Sequence, residues 1–349
     1  MSTLESWESW ESWESWESWE SWESWRPNGA ARGPSWLARQ RSRDAIVFGQ
    51  PPDGPMRPLA ATDPIGSLSA YARRQVVVMD MLAGVSVGEK SAADTVAVTG
   101  PRGAAVIQVL KPPPSFVAEL AVVESLNRQR LERAPEIQAQ LGFNPGFWAG
   151  ILPLSSRSTP FTLELMAALV MWSSFIVQQA KTRYHLPRPA ELSARIHPMI
   201  DTPGFSTYPS GHATQAALVS TVLRTLPVPG LNEAWRPAVM AQLDDLARRI
   251  AENREVAGVH FPSDSRAGLA LGERLPSLLL KPAPEPRLVK AEPPPAPKRG
   301  ARAAAAPKAG AVASAEVTPE AAASALAKPL RRDGPFDWLW QRAAQEWAA

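Results

Sequence analysis

The chain has no cysteine and only four histidines among its 349 residues. The first absence excludes disulfides and thiolate metal sites and leaves the redox compartment open. The second makes any histidine set in a chemically furnished stretch worth locating. Long apolar runs are also missing: the most apolar window, Leu163 to Val177, carries Glu164 and is shorter than a bilayer-crossing helix needs. No basic segment followed by an apolar one opens the chain, so nothing resembles a secretory signal. These absences lead to the expectation of a soluble, cytoplasmic protein without a membrane span.

The formal net charge of +3 invites a nucleic-acid reading, but the charge is unevenly spread. Residues 281–332 hold ten Lys/Arg and four Glu, a net of +6, so the rest of the chain sums to −3. The basicity belongs to a Pro/Ala-rich tail, and no specific nucleic-acid partner is expected. That tail is expected to be disordered, because it offers little apolar surface to offset the entropy of ordering.

Composition divides the chain into a leader (1–62), a core (63–280), the basic tail (281–332) and a terminal segment (333–349). The leader contains seven tandem Glu-Ser-Trp triplets, which hold half of the fourteen tryptophans. A period of three builds no single face in a helix or a strand. The repeat therefore reads as a coding-repeat expansion or a docking arm, with no part in the chemistry.

Within the core, apolar spacing predicts helices over Ser67–Leu82, Phe116–Leu141 with a bend or break at Pro135, Thr159 to about Thr182, Gly211–Thr225, Pro237 to about Ala257, and Ser263–Leu280. Thr159 is the expected cap of the third of these, with Pro160 at its first position. A short hairpin is possible over Val96–Leu110. Phe336, Leu339, Trp340, Ala343 and Trp347 fall on one helical stripe, which can dock on the body or offer a site to a protein partner. The fold class is all-α, a helical bundle with disordered termini.

Three core segments share an unusual inventory. KTRYHLPRP carries Lys181 and Arg188; YPSGHATQ carries Ser210, Gly211 and His212; ENREVAGVHFPSDSRAG carries Arg254, His260 and Asp264. Ser210 is a natural N-cap at the mouth of an apolar helix, where unpaired N–H groups can hold an anion. Together the segments offer three fixed cations, a hydroxyl, an exposed backbone N–H and two histidines, one with a carboxylate four residues on. These are the parts of a site for a tetrahedral oxyanion, since arginine binds two oxygens at once and lysine adds a point charge.

Lys-x6-Arg-Pro, Pro-Ser-Gly-His and Arg-x5-His-x3-Asp, in that order, resemble the superfamily that joins type-2 phosphatidic acid phosphatases, bacterial class A acid phosphatases and vanadium-dependent haloperoxidases. The resemblance covers residues 160–280 and implies the acid phosphatase/haloperoxidase type of bundle. It implies that Lys181, Arg188 and Arg254 neutralise the oxyanion and that Ser210 and the Gly211 N–H bond its oxygens. His212 would be the acid–base group. His260 would be the phosphoryl-accepting nucleophile, or the protein ligand to vanadium if vanadate is the cofactor. Asp264 would fix the His260 tautomer. His185 and His197 match no motif position.

Two departures stand out. Asn253 replaces the usual Ser before the third-segment arginine. Phe205 matches the chloride-oxidising members, but Gln178 stands where they carry Trp. The leading expectation is a vanadate-dependent haloperoxidase acting on peroxide and halide. The alternatives are a soluble acid phosphatase that needs no cofactor and hydrolyses phosphomonoesters, and a non-enzymatic interaction protein built on a vestigial site.

Overall fold

The computed structural model describes residues 63–101, 105–226, 236–281, 328–329 and 333–347. The expectations for the repeat and for most of the basic tail lie outside the described residues.

Helices dominate. In chain order they are α1 (Ala70–Leu82), α2 (Val117–Ser125), α3 (Arg130–Ala139), the single-turn α4 (Gly146–Ala149), α5 (Pro160–Tyr184), the single-turn α6 (Pro189–Leu192), α7 (Gly211–Leu223), α8 (Arg236–Val256), α9 (Pro262–Arg274) and α10 (Pro335–Gln345). α7 lies at the centre, packed on α5, α8 and α9, while α5 also carries α1 and α10. Both central helices are buried on nearly every side, through Leu165, Met166, Leu169, Trp172 and Ile176 on α5 and Ala213, Ala217, Leu218 and Val222 on α7. A helix apolar all round belongs inside.

A small antiparallel sheet completes the core. β1 (Ser86–Val87) pairs with β2 (Ala97–Thr99), and β2 pairs with β3 (Val106–Gln108), with Val98 opposite Val87 on one side and Ile107 on the other. The hairpin expected over Val96–Leu110 is present and gains a third strand. The sheet region holds the motif-bearing end of the bundle through two tyrosines. Tyr184, at the end of α5, accepts from Val96 N at 3.1 Å, and Tyr208 donates to Leu110 O at 2.6 Å. The two rings meet edge to face, centroids 5.0 Å apart.

Several expectations need correction. The single helix over Phe116–Leu141 is two, divided by a 3₁₀ turn at Leu126–Gln129, while Pro135 sits inside α3. The last core helix ends at Arg274 and continues as a 3₁₀ turn, Leu275–Leu278. α5 is longer than its most apolar window, and by length and composition it could cross a membrane, although 72% of its apolar window is buried inside the bundle. Its charged residue is paired: Glu164 takes a two-pronged bond from Arg73 on α1, at 2.8 and 2.7 Å. The expectation of a soluble, cytoplasmic protein does not follow from segment length.

Thr159 holds the N-cap position of α5, with Pro160 first, as expected, but its side chain makes no cap hydrogen bond. Its hydroxyl is engaged with the backbone of Ser155, and the cap comes from the far end of the chain. Glu346 accepts from Phe161 N at 2.6 Å, Thr162 N at 2.8 Å and Thr162 Oγ1 at 2.7 Å, and Trp347 Nε1 donates to Thr162 Oγ1 at 2.8 Å. α10 thus lies across α1 and α5, with Phe336, Leu339, Trp340, Ala343 and Trp347 all buried. The stripe foreseen as a possible partner surface is occupied by the chain's own core. Two further strands, β4 (Leu280–Lys281) and β5 (Lys328–Pro329), pair antiparallel and tie the terminal segment back to the body.

Candidate functional site

Close packing of α7 on α9 brings the motifs together. A Cβ on Gly268 would lie 2.5 Å from Ser210 O, and one on Gly272 would lie 2.3 Å from Thr214 O, so only glycine permits this approach. Two glycines four apart form a flat strip on α9, matched by Ser210, Ala213, Thr214 and Ala217 on α7. The start of α7 is then pinned directly to α9, because Ser210 N donates to Asp264 O at 3.0 Å. Ser210 caps α7 as expected, accepting from Ala213 N at 3.5 Å. The Gly211 and His212 N–H groups belong to the first helical turn, which has no intrahelical acceptor for them. The Tyr208–Pro209 bond that leads into the cap is cis.

The third motif is a helix–turn–helix junction. Arg254 lies in the last turn of α8, Gly258 turns the chain with φ +80°, and the next helix begins at Pro262. His260 is buried, and its Nδ1 lies 2.9 Å from Asp264 Oδ2. The same Oδ2 accepts from Phe261 N at 2.9 Å and from the hydroxyl of Thr207. Asp264 therefore caps its own helix while it orients the histidine. With Nδ1 committed to the carboxylate, Nε2 carries the lone pair of the neutral ring.

Each cation is held in place. Lys181 donates to Ser206 O and Thr207 O, both at 2.7 Å. Arg188 donates to Phe205 O at 3.1 Å and to Val259 O at 2.9 Å. Phe205, 43% exposed, covers both, its ring centroid 5.3 Å from Lys181 Nζ and 5.2 Å from Arg188 Cζ. Arg254 is fully buried and uses only Nη2, on Ile137 O at 3.1 Å and Gln140 Oε1 at 3.2 Å. Its Nε and Nη1 are buried without any partner, as is Asp264 Oδ1.

Charge is out of balance here. Burial draws Lys181 well below its ordinary value, and Arg188 adds to the effect while Asp264 opposes it. Arg188 and Arg254 are each lowered to about 10, chiefly by burial. Burial and then the fields of Lys181, Arg188 and Arg254 hold His260 well below the histidine range. The half-buried His212 is pushed down to about 3 by desolvation, Arg254 and His260. Asp264 is raised to about 6 by burial, against its hydrogen bonds and the two nearest cations. Three cations face one carboxylate, and two arginine nitrogens have no acceptor. A buried arrangement of this kind suits an anion.

His212 donates through Nε2 to the carbonyl of Gln140 at 3.1 Å, which leaves Nδ1 as its lone pair. Gln140, at the end of α3, was not foreseen from the sequence, and no local signal marks it. Neither was Thr207, although it stands just before the Tyr-Pro-Ser-Gly-His motif. Asn253, the departure before Arg254, turns away from the cations. It accepts from Arg133 Nη1 at 2.9 Å and donates to Gln140 Oε1 at 3.0 Å, so it supports Arg254 from behind. Gln178 is exposed. His185 ends α5 in the left-handed region with φ 49°, and His197 is exposed. Among the described residues no group of three or more His, Cys, Asp or Glu could hold a metal ion.

Residues 162–281 match the model of the PAP2 superfamily, and the match takes in all three motifs. This part of the chain belongs to the PAP2 superfamily. Among solved structures, a transmembrane PAP2-type phosphatidylglycerolphosphate phosphatase from Bacillus subtilis is similar, at 23% identity over 48% of this chain and 76% of that one, with a TM-score of 0.29. At that TM-score the likeness carries nothing about substrate or membrane topology. No curated protein matches the chain. The PAP2 match spans nearly all of α5 and the whole of α7, α8 and α9, which carry every predicted site residue except Arg188, just before α6, Ser210, just before α7, and His260, in the junction between the last two.

Proposed function

We propose that this chain hydrolyses phosphomonoesters through a phosphohistidine on His260. The observation that carries the reading is Arg254, a fully buried guanidinium whose Nε and Nη1 lack partners beside two further buried cations. A phosphoryl group would supply oxygens to those N–H groups, to Lys181 and Arg188, and to the N–H groups that open α7.

His260 Nε2 then forms the P–N bond as the P–O bond to the leaving group breaks. The Nδ1 proton stays on the ring, hydrogen-bonded to Asp264, whose carboxylate offsets the positive charge that develops there. The departing alkoxide takes its proton from His212. That histidine is neutral in the free protein; a bound phosphate offsets the fields of Arg254 and His260, so Nδ1 takes up a proton from solvent as the ester binds and gives it back when phosphate leaves. In the second half, water attacks phosphorus, the P–N bond breaks, and the water's proton returns to His212. Ester and water give alcohol and phosphate, and both histidines are restored.

The family match supports a phosphatase better than the haloperoxidase expected first. Vanadate has the shape and charge of phosphate and fits the same donors. If bound, it would be held by Lys181, Arg188, Arg254, Ser210, Gly211 and His260 and would supply activation of peroxide toward halide.

The test is release of phosphate from para-nitrophenyl phosphate, with mass spectrometry for phosphate on His260 after rapid quench. Phosphate release that is lost in His260→Ala and trapped on His260 in the wild type is expected. Halide oxidation after addition of orthovanadate, with no phosphate release, would transfer the site to the peroxidase reading.

A further inference from the structure

Thr207 is the best-connected residue of the site to which no role has been given. It is fully buried, and each of its polar groups is engaged with a different part of the machinery. Its carbonyl accepts from Lys181 Nζ, and its N–H donates to Leu186 O at 3.0 Å. Its hydroxyl donates to Asp264 Oδ2 and lies 3.1 Å from His260 Nδ1.

A threonine hydroxyl has one proton. Here it goes to the carboxylate, so toward the imidazole the oxygen can only accept. The Nδ1–H of His260 therefore faces two acceptors, Asp264 Oδ2 and Thr207 Oγ1. One acceptor fixes the tautomer but lets the ring pivot about a single contact. Two acceptors fix the ring's direction as well. The backbone of the same residue anchors Lys181, so the direction of the attacking nitrogen and the place of one phosphate-binding cation are set by one residue.

We infer that Thr207 is a positioning residue, whose hydroxyl aims His260 Nε2 at the phosphorus while its carbonyl holds Lys181 independently. The inference rests on the phosphohydrolase reading for its kinetic consequence. A misplacement near 1 Å at the reacting atoms costs about 10²-fold in rate, so loss of the hydroxyl should be felt in kcat. Binding should be spared, because the Thr207 carbonyl still holds Lys181 in every variant.

Thr207→Val and Thr207→Ser are compared in the full chain, with para-nitrophenyl phosphate as substrate and orthophosphate as competitive inhibitor. We expect kcat to fall about 10- to 100-fold in Thr207→Val, with KM and the orthophosphate inhibition constant held within about threefold, and most of the rate to return in Thr207→Ser. If Thr207→Val does not fold by circular dichroism, Thr207→Ala takes its place. An unchanged kcat overturns the inference. So does a parallel loss of kcat and orthophosphate affinity that serine does not relieve, since that is the mark of general packing.

A second readout separates this inference from the reaction on which it rests. In protein labelled with ¹⁵N-histidine, the His260 Nδ1–H resonance should shift in Thr207→Val and return in Thr207→Ser. If the wild type releases no phosphate, the hydrolase reading falls and this resonance alone decides. A shift upholds the positioning role, and an unmoved resonance overturns it.

Discussion

The two ends of α5 are built on opposite rules. At its start, Glu346 satisfies the Phe161 and Thr162 N–H groups and the Thr162 hydroxyl, and Trp347 adds a donor to the same hydroxyl. Near its finish, Lys181 joins a cluster in which Arg254 keeps two nitrogens and Asp264 keeps one oxygen without partners. The first end closes on itself, its opening N–H groups matched by the Glu346 carboxylate. The second withholds polar groups that folding alone would match, and it concentrates positive charge while doing so. Buried polar atoms are ordinarily paired, so unpaired ones gathered among three buried cations suit an anion.

The comparison breaks most sharply at Arg254. Arg254→Met removes the two unpartnered donors and should lower kcat/KM for a phosphomonoester by about 10²–10³-fold, as loss of one preorganised oxyanion donor does. Because Arg254 also depresses His212, the same change should raise the His212 pKa from about 3, though not to the ordinary histidine value, since burial is the larger cause. Steady-state kinetics and histidine NMR on one preparation check both. A variant with wild-type turnover would remove the argument from charge imbalance.

Next in size is the strip that brings the motifs into contact. Gly272→Val would place side-chain atoms on the Thr214 carbonyl and the Ala217 methyl of α7. Overpacking of this kind typically costs about 1–3 kcal/mol or more, and it should also move Ser210 away from Asp264. Thermal unfolding and turnover should fall together. A fall in stability with full activity would mean the α7–α9 spacing does not matter to the site.

The opposite end should behave differently. Glu346→Ala removes the cap of α5 and should cost about 0.5–2 kcal/mol in urea unfolding. Turnover measured well below the melting temperature should be preserved, because no group of the cluster touches Glu346. Loss of turnover without loss of stability would show that the two ends are coupled.

The smallest effect concerns protons. In the free protein His212 is neutral through the ordinary range, so its NMR signal should not titrate between about pH 5 and pH 8. Orthophosphate adds negative charge among groups whose proton affinity is depressed, namely Lys181, His212 and His260, and should raise all three. Binding therefore takes up protons, and affinity should rise as pH falls from about 9 to about 7.5, where the phosphate dianion persists. Calorimetry in buffers of different ionisation enthalpy reads the uptake directly. Proton release would reverse the sign and count against a cationic, desolvated cradle.

Much of this was legible in order along the chain. Lys181, Arg188, Ser210, His212, Arg254, His260 and Asp264 lie in short motifs whose local geometry is set by neighbours. Asp264 sits at the third position of a helix entered through Pro262, and Ser210 stands before a run of small and apolar residues. Such features depend on φ/ψ preferences and capping, which act over a few residues. The helical character of α1, α5, α7 and α8 followed in the same way from apolar spacing. The division of Phe116–Leu141 was misplaced because proline is only one way to end a helix, and here a 3₁₀ turn at Leu126–Gln129 ends it six residues before Pro135.

What the sequence alone determined is the inventory: three cations, two histidines, a carboxylate and a helix-capping serine, in an order that suits an oxyanion. What only the tertiary structure decided is who supports them. Gln140 holds Arg254 and His212 from α3, Thr207 bridges His260 and Asp264, and Glu346 caps a helix that begins 186 positions earlier at Pro160. None of these partners is near in sequence to the residue it serves. Each was selected by which polar group happened to be left unsatisfied when helices packed, and that selection is made by three-dimensional proximity in a buried, low-dielectric interior rather than by spacing along the chain.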